Sequence, residues 1–131
     1  MVNSNNAKLR LVLPSDGELS EPTQGFMRDC GIPVRRPSAR RYTGSIPALP
    51  GVEVLFQRTA DITQKVEEGS AELGITGLDR LLEYRNNELL VVALLEDLGF
   101  GRCEFVLAVP DAWLDVTSVD DLADVALDFH Q

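Results

Sequence analysis

Histidine is almost missing from this chain. Its single histidine, His130, is the penultimate residue, so neither a histidine-activated nucleophile nor a histidine zinc centre has anything to stand on. Cysteine is scarce as well. Cys30 and Cys103 lie far apart, with no CxxC spacing. That excludes a disulfide framework or a cysteine zinc site, and reduced thiols in a cytoplasmic protein are expected. Long apolar runs are lacking: the longest, Leu89 to Leu95, is far too short to cross a bilayer. The opening Met1–Lys8 is polar and Asn-rich, unlike a signal peptide. Positive charge is in short supply, with 12 basic against 21 acidic residues and a net charge of −9. Such a surface repels phosphate backbones and argues against nucleic acid as a partner. Anionic small molecules would have to be met by local basic groups, helix N-termini or a metal ion. There is no internal repeat and no low-complexity segment.

What is present is an ordinary globular composition. The 131 residues are 44% hydrophobic and 25% charged, enough for a core and unlike a disordered chain. The length suits one domain, or one domain and the start of a second.

Leu9–Leu13 reads as a short buried strand that ends at Pro14, with a turn at Ser15-Asp16-Gly17. Leu19, Phe26, Met27 and Cys30 then recur at helical spacing; Pro22 fits a first turn and Gly31 a stop. Residues 33 to 51 carry four prolines and four arginines and read as a loop with room for a short strand. Val52–Phe56 is a second strand. Asp61 is the expected N-cap of the next helix, with Gln64 placed as in a capping box. Ile62 and Val66 lie on one face of that helix, and Gly69 ends it. Ala71–Ile75 is a third strand, Thr76-Gly77 a tight turn, and Leu78, Leu81 and Leu82 a helical stripe. Leu89–Leu95 is apolar throughout, as in a central strand buried on both faces. Cys103–Val109 reads as a further strand, and Thr117 caps a helix that has Asp120 three residues on and Val119, Leu122 and Ala126 inside.

Three strand–helix alternations predict an α/β fold: a mostly parallel sheet with helices on both faces. Residues 1–97 form a first lobe; residues 98–131 form a crossover strand and the start of a second, incomplete lobe. In such sheets ligands bind beyond the carboxyl ends of the strands. Three strand-to-helix turns fall there, each offering free N–H groups and a positive helix end. The first holds Asp16, Gly17 and Glu18. The second holds Arg58, a bidentate donor for phosphate. The third holds Thr76 and Gly77, with Asp79 just inside the helix. For each, the bland alternative is a plain turn, a surface arginine or a helix-dipole aspartate. Glu67, Glu68 and Glu72 read as a solvated face and Trp113 as packing. The arginines at 35, 36, 40 and 41 read as a solvated loop or, more sharply, an anion-binding lid.

The run Glu72-Leu73-Gly74-Ile75-Thr76-Gly77-Leu78-Asp79 is similar to the ADLGITG-x-D stretch of ATP phosphoribosyltransferases. Arg58, Asp61-Ile62 and Val66-Glu67-Glu68-Gly69 resemble that family's R-x-x-DIP-x-x-V-x-x-G run. Leu98-Gly99-Phe100-Gly101-Arg102-Cys103, followed by Leu107-Ala108-Val109-Pro110, resembles LGFGxC leading to AVP. Leu13-Pro14, Gly17 and Leu19-Ser20-Glu21 resemble LPKGRLSE. The likeness runs in order from about residue 9 to about residue 125.

The resemblance implies a type II periplasmic-binding-protein-like lobe and a site in the cleft between two lobes. It implies a glycosyl transfer, the first step of histidine biosynthesis, in which N1 of ATP's adenine joins C1 of phosphoribosyl pyrophosphate and pyrophosphate leaves. Magnesium is implied on the pyrophosphate, and nucleotides as the small-molecule substrates. A homo-oligomer, with a separate regulatory subunit in some members, is implied for the full-length protein. Two departures stand out. Where the family has Lys-Gly-Arg, this chain has Asp16-Gly17-Glu18, two negative charges in place of two positive ones. The family's ETGxTL-type phosphoribosyl-phosphate loop has no counterpart in these residues. The chain is therefore expected to be inactive alone, as a piece of a longer transferase; the rival expectation is a non-catalytic binding or regulatory module on the same fold.

Overall fold

The computed structural model describes residues 8–104 and 106–122. Strand β1 (Leu9–Pro14) leads into helix α1 (Ser20–Asp29), and a long loop holds the short strand β2 (Thr43–Ser45). Strand β3 (Val52–Gln57), helix α2 (Thr59–Glu67), strand β4 (Leu73–Gly74) and helix α3 (Leu78–Tyr84) follow. The strands form one sheet in the order β2-β3-β1-β4. β1 lies parallel to both β3 and β4, with Leu13 opposite Phe56 and Val12 opposite Gly74, while β2 runs antiparallel to β3.

Alternation along β1 decides where the helices go, because successive side chains leave a strand on opposite faces. Leu11 and Leu13 point to one face and pack with Met27 of α1 and with Ile46, Val54 and Phe56. Val12 points to the other face and packs with Ile62 of α2 and with Ala71. The two helices therefore cover opposite faces. Each fully buried Leu, Ile, Val or Phe contributes about 1.5–3 kcal/mol. β4 passes close beneath α2: a Cβ on Gly74 would come within 2.8 Å of Ile62 Cγ2 and 2.9 Å of Val12 Cγ1. Only glycine lets the two layers meet there.

The paired arrangement of Arg10 and Glu72 ties β4 to β1 at the amino ends of the strands. The Glu72 carboxylate accepts from Arg10 Nη2 at 2.5 Å and from the Arg10 backbone N–H at 2.7 Å, and Glu72 N–H donates to the Arg10 carbonyl. Arg10 Nη2 also donates to the Gly69 carbonyl at 2.8 Å.

Several expectations change. The third strand shortens from Ala71–Ile75 to Leu73–Gly74. Leu89–Leu95 is not a strand: its first residues lie in a turn and the rest have no ladder partner. Val91 is buried, whereas Leu89 is 91% exposed and Leu94 and Leu95 are both 73% exposed. A two-residue edge strand offers too short a ladder to hold a fifth strand, so apolar character alone does not organise this run. The described part of Cys103–Val109 likewise has no strand pairing, with Val106 and Leu107 exposed. Leu82 is exposed too, as are Trp113 and Leu114, so Trp113 is not a core residue.

The caps also shift. Arg58 is the N-cap of α2, and Asp61 sits in its first turn. In the 3₁₀ turn Val119–Leu122, Asp121 rather than Asp120 reaches back, accepting from the N–H groups of Thr117 and Ser118 at 2.9 and 3.0 Å. The spacing fits a capping box on Ser118. Ala126 and His130 lie outside the described residues.

Candidate functional site

The chain leaves β1 toward the α1 face and leaves β3 toward the α2 face. β1 and β3 are neighbours, so their outgoing turns run to opposite faces at the carboxyl ends, the position where open α/β sheets take ligands. α3 packs beside α2, which brings the turn after β4 to the same edge.

Asp16, Gly17 and Glu18 are all exposed in the turn after β1. Gly17 has φ of +77° with open space where a Cβ would be, so backbone conformation rather than crowding requires glycine there. The Gly17 carbonyl accepts from Ser20 N–H at 3.3 Å as α1 begins. Arg58 follows β3 at once. Its Nε donates to Asp61 Oδ2 at 3.1 Å, and its side chain is 77% exposed. The guanidinium therefore lies over the start of α2, in an ion pair open to water that holds it weakly. Thr76 and Gly77 follow β4, and Gly77 is the N-cap of α3. Thr76 Oγ1 donates to the Thr59 carbonyl at 3.0 Å. That bond ties the turn after β4 to the start of α2, one residue from Arg58. Asp79 lies in the first turn of α3.

The structure thus places all three turns at the carboxyl edge of one sheet and joins the second and third by a hydrogen bond. It does not bring the Arg58 guanidinium onto Thr76. Thr76, Gly77 and Asp79 line a mostly apolar cavity of about 790 Å³, together with Phe26, Met27 and residues 90–98 and 100–103. Asp16, Gly17, Glu18 and Arg58 are not among its lining residues. This cavity lies where β4 has no outer neighbour.

The acidic residues set aside as a solvated face are each engaged. Glu67 accepts from Asn86 N–H at 3.1 Å. Glu68 accepts from Ser70 Oγ and Lys65 Nζ, which hold its carboxyl below the usual range. Glu72 is held down to about 2, first by the side-chain hydrogen bonds of Arg10 and then by the Arg10 N–H. It stands at the amino end of the sheet, away from the candidate site. Among the described residues no group of three or more His, Cys, Asp or Glu side chains could hold a metal ion, and no helix is long and apolar enough to cross a membrane.

One residue at this edge carries no signal in sequence motifs. Arg36 Nη1 donates to the Ser15 carbonyl at 2.8 Å, directly before the Asp16 turn. Its other nitrogens donate to the carbonyls of Ala39 and Arg41, and its guanidinium lies 4.2 Å from the centre of the Phe56 ring. Within the arginine cluster, Arg36 is therefore committed to the backbone rather than free for an anion. Arg35, Arg40 and Arg41 are exposed.

The family described as ATP phosphoribosyltransferase (HisG) matches residues 58–131, more than half of the chain. An ATP phosphoribosyltransferase of Chelativorans sp. (strain BNC1) is 41% identical over 121 residues, covering 92% of this chain and 53% of that protein. One from Bradyrhizobium diazoefficiens is 38% identical over 127 residues, covering 96% and 39%. The chloroplastic ATP phosphoribosyltransferase 1 of Arabidopsis thaliana is 38% identical, covering 88% and 29%. The solved ATP phosphoribosyl transferase (HisG:HisZ) complex from Thermotoga maritima matches with a TM-score of 0.47 and 24% identity, over 60% of this chain and 36% of that one. The chain spans about half or less of the length of these curated relatives. On this family match, the chain belongs to the ATP phosphoribosyltransferase family.

Proposed function

We propose that this chain supplies one α/β lobe of an ATP phosphoribosyltransferase, which joins ATP to phosphoribosyl pyrophosphate and releases pyrophosphate in the first step of histidine biosynthesis. The observation that carries the reading is one of placement: the turns at Asp16–Glu18, Arg58 and Thr76–Asp79 share one sheet edge. In this reading residues 1–97 form the first lobe, of the type II periplasmic-binding-protein-like kind, and residues 98–131 begin the second. A cytoplasmic setting and oligomeric assembly, with or without a regulatory subunit, go with it.

The chemistry asked of the lobe is positioning and charge stabilisation at an oxocarbenium-like carbon, which needs no covalent nucleophile. Arg58 exchanges its exposed Asp61 partner for a phosphate or pyrophosphate oxygen. The Gly77 turn offers backbone donors, and the Thr76 hydroxyl has lone pairs left after donating to Thr59. Asp79 accepts from a ribose or adenine group. Magnesium would come here as a passenger of the pyrophosphate, held by substrate oxygens with one or two carboxylates at most, as the described residues build no three-ligand site. When bound it neutralises charge on the leaving pyrophosphate.

The acidic turn favours a second reading. Asp16 and Glu18 stand where the resembling family has cations, which suits a non-catalytic binding or regulatory module on the same fold. The natural gene product separates the two. Incubated with ATP, phosphoribosyl pyrophosphate and magnesium, a transferase forms phosphoribosyl-ATP, followed by its absorbance. A natural product that binds nucleotide and forms none is the module.

A further inference from the structure

The two carboxylates of the turn after β1 do not fix it. Asp16 accepts only from its neighbour Ser15 Oγ, at 3.3 Å, and the carboxylate of Glu18 is in no ion pair among the described residues. The side chain that hydrogen-bonds to this turn from elsewhere in the sequence is Arg36. Its three nitrogens each take a different backbone carbonyl, of Ser15, Arg41 and Ala39, at 2.8, 2.9 and 2.8 Å. The guanidinium carbon lies over the ring of Phe56, which is fully buried in β3. Ser15 N–H in turn donates to the Gln57 carbonyl at the end of β3. A lysine cannot reproduce this. It has no fork to reach three carbonyls in one plane, and no planar face to stack on an aromatic ring.

We propose that Arg36 is a positioning residue of this edge: it locks the Ser15–Ser20 turn and the Ala39–Tyr42 loop into one rigid unit anchored on Phe56. Its connection to ligand binding rests on the proposed function, in which the Asp16–Glu18 turn faces the nucleotide. The coupling of the two segments does not. Arg36 acts through backbone carbonyls and touches no ligand, so it moves affinity by moving the turn.

The test uses the 131-residue chain and its Arg36→Ala and Arg36→Lys variants, with Arg36→Met as a version that keeps the stem over Phe56 without donors. Backbone ¹⁵N order parameters are read at residues 15–20 and 39–42, and at Val12 and Val54 as core references. In the parent both segments should show rigid values near about 0.85; in Arg36→Ala and Arg36→Met both should fall together below about 0.6, with the core unchanged. Arg36→Lys should recover part of the order. ATP affinity, titrated well below each variant's Tm, should weaken about ten-fold in Arg36→Ala, the effect of losing one net charge-assisted hydrogen bond, and be partly rescued in Arg36→Lys. A purely structural role would lower Tm and leave the affinity of the folded chain unchanged. Loosening of 39–42 alone, with 15–20 still rigid, overturns the coupling. A loosened turn with unchanged ATP affinity overturns the positioning role. A parent that binds no ATP counts against the proposed function and leaves the coupling to the order parameters, which decide it alone.

Discussion

Reversing the two acidic charges after β1 is the sharpest test of where the nucleotide lies. Asp16 and Glu18 are exposed and flank Gly17 at the carboxyl end of β1. A unit charge about 6 Å from a phosphate in a water-like dielectric of about 80 contributes about 0.7 kcal/mol. Changing its sign is then worth about 1.4 kcal/mol per residue, and about 3 kcal/mol for Asp16→Lys with Glu18→Arg. Screening over a Debye length of about 8 Å leaves roughly half of this at physiological salt, about a ten-fold gain in affinity. At about 0.01 M salt, where the Debye length is about 30 Å, most of it survives and the gain should rise several-fold further. The parent, with its net charge of −9, should bind ATP weakly, since exposed helix N-termini offset only about 0.3–1 kcal/mol each. Calorimetric titration of magnesium-free ATP into both proteins at two ionic strengths reads these numbers directly. Tight binding by the parent, or an affinity in the double variant that is neither higher nor salt-dependent, would refute the placement of the nucleotide on this turn.

Other perturbations follow from the packing. Glu72 is held at about 2 by Arg10, against an ordinary value of 4.5. Its contribution to stability is complete above about pH 4.5 and is lost as pH falls from there through about 2. Urea melts across that window should show a declining limb that flattens in Glu72→Gln, and an unchanged limb would rule the pair out as its cause. Thr63 is buried in α2 and its hydroxyl has no partner among the described residues. Thr63→Val keeps the shape, removes the stranded polar atom and should raise stability by about 1 kcal/mol; a lower Tm would mean the hydroxyl is satisfied in solution. Gly74→Ala must push Ile62 or Val12 aside and should cost about 1–3 kcal/mol in chemical denaturation, as overpacking does.

Legibility followed the strength of local physics. β1, α1, β3 and α2 could be read because each combines a clear apolar pattern with a glycine or proline at one of its ends, and each packs against a neighbour also inside the chain. Leu89–Leu95 shows where this fails. Its composition matches a buried strand, but a strand is stable only when its ladder has a partner, and composition carries no information about partners. β4 pairs through Leu73 and Gly74 alone, so most of the apolar run stays exposed. Residues 98–101 fare better through a specific contact: the Phe100 ring packs tilted against Phe26 of α1 with ring centres 5.7 Å apart.

The site divides along the same line. That Gly17, Arg58, Thr76, Gly77 and Asp79 stand at one edge could be read because strand–turn–helix units place their turns together whatever the long-range contacts are. Arg36 could not, because its role rests on three backbone carbonyls, one of them 21 positions back along the chain. Sequence spacing cannot register such contacts, and in sequence Arg36 looks like its neighbours Arg35, Arg40 and Arg41. Counting arginines thus overstated the positive charge free to meet a ligand here. With Arg36 occupied by backbone and the Asp16–Glu18 turn acidic, the field at the β1 side of this edge is less favourable to a polyanion than the arginine count implies. This edge therefore presents an exposed cation at Arg58 after β3, and a polyphosphate lying over the turn after β1 meets repulsion there and attraction only from the β3 side.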